Sequence, residues 1–408
     1  MKVKNLLINI SGEDRPGITA QLTQIIAQFQ TPVIDMGQSI THGLLSLSLL
    51  LRCGQEDQDI IKELLFMANS QNLQLNFSYP EQIQLTQEDK SERYALSCVG
   101  PEEISSQFIA QVAAYLAAHG INIVRIYSDQ KHQAQLSHLE FLIAGAKDLN
   151  WSEIKNELLK ISIPHQIDFC LVKDDIFRAN KRLVVFDMDS TLTKGEVIDE
   201  LAELAGVSEQ VKAITQKAME GELEFEQALR QRVALLKGLE EQQLQTVCQK
   251  LELTPGAADF IQVLQSLGCQ TAVISGGFDF FTAWIAQNLN LDYHYGNQLE
   301  IIDGKLTGQL KGMIVDGAMK AKLMQELAIK ESISLQQVAA IGDGANDLPM
   351  LSAAGMGIAF HAKQAVKRQI GLQLSFGPMN SLLWFLGIPT SYSAQYANCS
   401  TERKNVIK

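Results

Sequence analysis

Paired cysteines, paired histidines, long apolar runs and net positive charge are all missing from this sequence, and each absence excludes something. The six cysteines (Cys53, Cys98, Cys170, Cys248, Cys269 and Cys399) are scattered and form no CxxC pair. That spacing argues against a zinc knuckle, a thioredoxin-type redox site or a disulfide scaffold, and suits reduced, buried thiols in a cytoplasmic protein. None of the seven histidines falls in an HExxH or other paired-His spacing, which disfavours zinc. No stretch of 18 apolar residues occurs, so no membrane-spanning helix is expected. The apolar stretch after Lys4 is too short for the core of a signal peptide, and no small-residue cleavage site follows it. Lys and Arg number 34 against 46 Asp and Glu, a net charge of −12. Neither nucleic acid nor an anionic membrane is then an expected partner, because both carry the same sign.

What is present is enough apolar material for real cores. Hydrophobic residues make up 46% of 408 positions, and at ~150 residues per domain that length predicts two or three domains. The front of the chain repeats itself. Leu6–Gly12 reads as a strand ending at a glycine, and Tyr94–Gly100 has the same shape 88 residues later. Each glycine is followed by an acidic, Pro-containing turn and then an amphipathic helix. Ile18, Leu22, Ile25, Ile26 and Phe29 share one helical face in the first copy; Phe108, Val112, Tyr115 and Leu116 do so in the second. With further strands at Val33–Met36, Leu44–Leu51, Ile121–Ile126, Leu139–Ala144 and Gln166–Val172, and helices near 57–70 and 151–161, the pattern is βαββαβ twice over. The expected domains are 1–82 and 91–174, joined by a polar, acidic linker from Pro80 to Ser91.

Residues 182–386 read differently. Leu183–Phe186, Thr271–Ile274, Val338–Ile341 and Met356–Phe360 are continuous apolar runs, as strands of a parallel sheet covered on both faces must be. Helices fit at 256–267, 279–289, 318–329 and 347–353. The expected fold class is α/β: a doubly wound parallel sheet whose ligands bind beyond the carboxyl ends of its strands. Between the first two strands, about 197–251, lies an insert with helical patterning, read as an all-helical cap. Gln298–Ile314, centred on Asp303-Gly304, reads as a β-hairpin. The polar tail 390–408 is assigned no structure.

The chemistry sits at the strand ends. Asp187-Met188-Asp189-Ser190-Thr191 follows the first strand. Two carboxylates so close repel unless a cation relieves them, although a lone DxD also suits a solvated loop. Gly342-Asp343-Gly344-Ala345-Asn346-Asp347 follows another strand. If the two strands are neighbours, Asp187, Asp189 and Asp343 converge into an all-oxygen site suited to Mg²⁺. Ser275-Gly276-Gly277 ends a third strand, where a hydroxyl and open backbone N–H groups can hold a phosphate oxygen. Lys320, at the start of a helix, can neutralise phosphate charge, with Lys322 as the neighbour that could be confused with it.

DxDST, a strand-ending serine, a lysine and GDGxND, in that order, resemble the haloacid dehalogenase superfamily of phosphotransferases. Asp187–Glu200 (DMDSTLTKGEVIDE) and Met219–Val233 (MEGELEFEQALRQRV) are similar to its phosphoserine phosphatases over many consecutive positions. The resemblance covers 182–386. The front half resembles two ACT domains, the first, with Gly12-Glu13-Asp14-Arg15-Pro16-Gly17, more closely. The resemblance implies Mg²⁺-dependent hydrolysis of O-phospho-L-serine through an aspartyl-phosphate, the last step of L-serine biosynthesis. It makes Asp187 the nucleophile and Asp189 the general acid and base. Asp187, the Asp189 carbonyl and Asp343 become metal ligands, with Asp347 behind them. Ser275, Gly276, Gly277, Lys320 and Asn346 become phosphate ligands. The cap becomes a lid in which Glu196 meets the substrate ammonium, Arg232 grips its carboxylate, and Met219 and Phe225 supply an apolar wall. Glu203, Glu222 and Arg230 read as a solvated helix face. The ACT resemblance implies an amino-acid effector and a homodimer. The alternatives are a related phosphotransferase or phosphatase acting on another small phosphate ester, and an amino-acid-sensing regulatory protein with a vestigial catalytic half.

Overall fold

In the computed structural model the described residues are 4–54, 57–81, 91–101, 103–129 and 136–388. The predicted tail 390–408, Cys399 and nearly all of the predicted linker lie outside them. The chain forms two compact units, 1–89 and 90–408. Among the described residues no helix is long and apolar enough to cross a membrane, and the five cysteines are buried.

The first unit runs β1 (Lys4–Glu13), α1 (Ile18–Gln28), β2 (Val33–Thr41), β3 (Leu44–Cys53), α2 (Asp57–Ser70) and β4 (Gln74–Ser78), with an antiparallel sheet in the order β2-β3-β1-β4. Period-two alternation gives β1 and β3 one buried face. Leu6, Ile8 and Ile10 pack there with Leu45, Leu47, Leu49 and Leu51 against Ile18, Leu22 and Ile26. Ile25 and Phe29 are partly buried beside them. Strand β4 was not among the predicted runs; it is a short edge strand, mostly exposed, so burial imposes little apolar pattern on it.

The second unit begins with the same plan: β5 (Ser91–Pro101), α3 (Ser106–Ala118), β6 (Asn122–Asp129), β7 (Leu136–Ala146), α4 (Trp151–Ser162) and β8 (Asp168–Lys173), in sheet order β6-β7-β5-β8. Phe108, Val112 and Leu116 fill its core, with Tyr115 partly buried against them.

It continues into β9 (Leu183–Phe186), the cap helices α5 (Val197–Leu204), α6 (Ser208–Met219), α7 (Phe225–Leu235) and α8 (Glu241–Lys250), then α9 (Ala257–Ser266), β10 (Gln270–Phe278), α10 (Asp279–Leu289), β11 (Tyr293–Ile302), β12 (Lys305–Lys311), α11 (Gly317–Lys330), β13 (Val338–Gly342), α12 (Leu348–Ala353), β14 (Met356–Phe360), α13 (Gln364–Gln369) and β15 (Gln373–Leu374). The sheet order is β12-β11-β10-β9-β13-β14-β15, parallel except for β12. Strand β9 pairs with β10 on one side and β13 on the other, Phe186 lying opposite both Val273 and Ile341. The sheet therefore reverses its winding at β9, the place where doubly wound folds bind ligands. The predicted hairpin is β11–β12, closed by Asp303 (φ 50°) and Gly304 (φ 74°), the two positive φ values of a type I′ turn. It does more than cross the surface. Its backbone bonds to the α7–α8 connection, Gly238 N–H to Leu306 O at 2.8 Å and Glu241 N–H to Gly304 O at 2.9 Å, so it braces the cap.

Candidate active site

Three strand ends and the cap enclose one cavity of about 460 Å³. Its floor is the end of β9. The Asp187 N–H donates to Ile341 O at 2.9 Å, so the backbone leaves β9 still tied to β13 and carries the Asp187 carboxylate to the cavity. Asp187 is 4% and Asp343 8% exposed, and with Asp347 their carboxylate oxygens lie within 4.8 Å of one another. Asp187 and Asp343 come together because β9 and β13 are neighbours, and Asp347, rather than the Asp189 expected from the sequence, is the third carboxylate of the group.

Lys320 lies beneath this cluster rather than in the cavity wall. It is 0% exposed, and its Nζ donates to Asp187 Oδ1 and Asp347 Oδ1, both at 2.6 Å. Lys322 is the opposite case, a 60% exposed side chain paired with Glu326. The other Asp347 oxygen accepts the Gly344 N–H at 3.0 Å. Both Asp347 oxygens are thus taken, whereas Asp187 Oδ2 has no hydrogen-bond partner among the described residues. Burial first, and the Asp347 charge second, push the Asp187 carboxyl well above its ordinary range, against the pull of Lys320.

Asp189 Oδ1 accepts the Val197 N–H at 2.9 Å, at the start of the first cap helix. Burial and the neighbouring Glu196 charge push Asp189 up to about 7. Burial and Asp347 push Asp343 up to about 6. At the end of β10 the Ser275 hydroxyl accepts the Gly277 N–H at 2.9 Å. The two glycines are required by close approach: a Cβ on Gly277 would stand 2.8 Å from Asp189 Oδ2, and one on Gly276 would stand 3.0 Å from the Phe225 ring.

The cap faces this floor. Glu196, Phe225 and Arg232 line the cavity together with Asp187, Asp189, Ser275, Gly276, Gly277, Asp343 and Asn346. Neither Glu196 nor Arg232 has an ion-pair partner among the described residues; Arg232 makes only long contacts to Ala228 O and Thr215 Oγ1, both 3.4 Å. Met219 ends α6, and its side chain lies outside the described residues. Of the residues read as a solvated face, Arg230 is ion-paired to Glu226 and half exposed.

Sequence reasoning did not single out three contributors. Lys363 lines the cavity. Thr191 Oγ1 reaches Asp343 Oδ1 at 3.5 Å. Asn297, 0% exposed, donates to Gly276 O and accepts the Val315 N–H, both at 2.8 Å, and so holds the glycine loop in place. An Asn inside a half-polar strand carries no motif, so only the fold exposes its role.

The donor set fits a hard divalent cation. It is all oxygen, buried and electrically underpaired, with Lys320 the single cation among three carboxylates at its base. A testable consequence follows from the raised carboxyls. A folded-state value of about 7 at Asp189 or about 6 at Asp343 means that the native state holds more protons than the unfolded chain above pH ~4. Stability of the cation-free protein is therefore lost as pH rises through that window, and a cation that neutralises the carboxylates restores it. Thermal melts with EDTA or Mg²⁺ should show a Mg²⁺-induced rise in Tm that is larger at pH 8 than at pH 5; a rise independent of pH contradicts the linkage.

Comparison with known proteins agrees with this geometry. Residues 181–355 match the family of haloacid dehalogenase-like hydrolases, and residues 4–78 match the ACT domain family. The chain is 36% identical to a phosphoserine phosphatase of Streptomyces coelicolor over 388 residues, 95% of this chain and 93% of that one. It is 34% identical to a phosphoserine phosphatase of Mycobacterium tuberculosis over 98% of both chains. Among solved structures it resembles a HAD family hydrolase from Salmonella enterica serovar Typhi, with TM-score 0.64 and 31% identity over 72% of this chain and 98% of that one. It also resembles a probable phosphoserine phosphatase from Vibrio cholerae, with TM-score 0.58 and 31% identity over 74% and 88%. On its fold, its strand-end carboxylates and these relatives, the chain belongs to the phosphoserine phosphatase family of haloacid dehalogenase-like hydrolases and is a phosphoric monoester hydrolase with an ACT domain at its front.

Proposed function

We propose that this enzyme hydrolyses O-phospho-L-serine to L-serine and phosphate with Mg²⁺ as cofactor, in the cytoplasm, as the closing reaction of L-serine biosynthesis. The observation that carries the reading is the pairing, in one cavity, of a carboxylate floor beside a Ser-Gly-Gly loop with an unpaired Glu196 and Arg232 in the facing wall. Phosphoserine has one phosphate, one ammonium and one carboxylate, and each finds a complement there.

Asp187 Oδ attacks phosphorus and the bond from phosphorus to the serine oxygen breaks, leaving an aspartyl-phosphate. Asp189 gives its proton to the departing serine oxygen. It then takes a proton from the water that attacks phosphorus, and the Asp187–phosphate bond breaks. Ser275, the Gly276 and Gly277 loop and Asn346 hold the phosphate oxygens, while Lys320, kept in register by Asp347 beneath the floor, offers its remaining ammonium hydrogen to the phosphate arriving at Asp187. Bound by Asp187, Asp343 and the Asp189 carbonyl, Mg²⁺ would offset the charge of the arriving phosphate. Phe225 closes the apolar side of the cavity and excludes water. Residues 1–82 and 91–174 are proposed as the ACT-type modules, binding an amino-acid effector and joining two subunits, and 182–386 as the catalytic domain.

The deciding experiment is steady-state turnover of a panel of phosphate esters with Mg²⁺ and with EDTA. Phosphoserine should be preferred and EDTA should abolish turnover; equal turnover of unrelated esters refutes the substrate. Arg232→Met should lower kcat/KM for phosphoserine on the order of 10²-fold, the cost of losing a desolvated charged hydrogen-bond partner. Turnover of phosphoethanolamine, which lacks the carboxylate, should change little. Equal losses on both compounds remove Arg232 from carboxylate recognition.

A further inference from the structure

The second ACT-like module and the catalytic domain share one compact unit, and one of their contacts runs through a short stretch of chain. Asp168, the first residue of β8, is 2% exposed. Its Oδ2 accepts the backbone N–H groups of Ser375 and Phe376 at 2.7 and 2.8 Å. A buried carboxylate oxygen that takes two consecutive N–H groups is a charge-assisted clamp on that turn. The same stretch is pressed from α4, where a Cβ on Gly371 would stand 2.2 Å from the Lys155 side chain.

The clamped stretch leads to the cavity. Its Leu374 carbonyl accepts the His361 N–H at 2.7 Å, and its Gly377 carbonyl pairs with the His361 ring at 2.8 Å. Lys367 of α13 donates to the Ser375 hydroxyl at 2.6 Å. Between these two ties lie Lys363, Ala365 and Val366, all of which line the cavity. The Lys363 N–H also reaches the Asp343 carbonyl at 3.3 Å. Each link is a hydrogen bond or a packed contact, and together they join residues 375–376 to the cavity lining at 363–366.

We propose that Asp168 is a positioning residue for the active site: through residues 371–377 the second ACT-like module sets the place of the cavity wall at 363–366, and with it substrate affinity. For its kinetic consequence this rests on the phosphoserine reading above; for its structural consequence it does not. It also gives a state of that module a route to catalysis, since whatever moves β8 moves this wall.

The test uses the full chain carrying Asp168→Ala or Asp168→Asn, with Glu140→Gln as control. Glu140 pairs with Arg178 near the same module boundary, and no hydrogen bond or ion pair among the described residues joins it to 361–367 or 371–377. Hydrogen exchange of the 361–377 amides, thermal melting and phosphoserine kinetics are measured for each. Asp168→Ala should speed exchange at 361–366 and raise KM roughly 3- to 30-fold, the range seen for coupling changes away from a ligand, with a smaller effect on kcat. Asp168→Asn keeps an acceptor oxygen and should lie between wild type and Ala in both readouts. Glu140→Gln should lower Tm without either change. The proposal is overturned if Asp168→Ala lowers Tm as Glu140→Gln does but leaves exchange and KM at wild-type values. Should the Ala protein not fold, wild-type exchange at 361–377 in Asp168→Asn overturns it equally. Faster exchange in a protein whose wild type does not turn over phosphoserine upholds the mechanical link and rejects the substrate.

Discussion

Asp187→Asn is expected to abolish turnover while leaving the fold in place. The amide has the shape of the carboxylate but neither its charge nor its nucleophilic oxygen, so no covalent phosphoryl-enzyme can form. Removing a covalent nucleophile costs at least ~10⁴-fold in kcat in enzymes that depend on one. The fold should survive because Asp187 already costs the native state something: burial and Asp347 hold its carboxyl well above the ordinary range. Lys320 keeps Asp347 as partner when Asp187 loses its charge. Two measurements together decide the matter, kcat on phosphoserine and the melting temperature. A kcat within tenfold of wild type rejects Asp187 as nucleophile; a collapsed Tm means that Asp187 supports the fold as well.

Lys320→Met is expected to damage both activity and stability, which distinguishes it from Asp187→Asn. The side chain is completely enclosed, with its ammonium held at 2.6 Å by two carboxylates. Removing one member of a buried ion network leaves the others uncompensated, at a cost of about 3–5 kcal/mol. Here Asp187 and Asp347 would be left facing each other beside Asp343. Methionine fills the same volume, so packing changes little and the loss reports charge. Denaturant unfolding in EDTA measures it. Repeating the melt with Mg²⁺ supplies the internal check, since a cation at the cluster should return part of the lost stability to the variant. A Lys320→Met protein as stable as wild type in EDTA means that the network contributes nothing to the fold. Lys322→Met, at an exposed position two residues on, should change neither quantity.

How much was legible beforehand varies with the physics of each feature. The four central strands of the catalytic sheet were readable because burial on both faces forces continuous apolar runs. Strand β11 was legible only in its second half, as the first arm of the hairpin expected at 298–314, because Tyr293–Ile302 mixes His, Asn, Gln and Glu with its apolar residues and is only partly buried. The helices α2 and α10 began and ended where periodicity placed them. That Glu196 and Arg232, distant in the chain, line one cavity was expected only from the resemblance of the insert, since neither residue type at that spacing has chemical meaning by itself.

Sequence alone determined the local chemistry of this protein: which strands are buried, where carboxylates end them, which loop can cradle an anion and which stretch is helical. These follow from periodicity and side-chain type within a few residues. The tertiary structure decided everything that depends on neighbours distant in the chain. The strand order puts β9 between β10 and β13 and so gathers the carboxylates. Helix rotation makes Lys320, not Lys322, the buried cation. The docking of β8 against the turn after β15 ties the second ACT-like module to the cavity wall. Hydrogen bonds and charge interactions act over a few ångströms in space, and a linear pattern carries no record of which distant residues come within that reach.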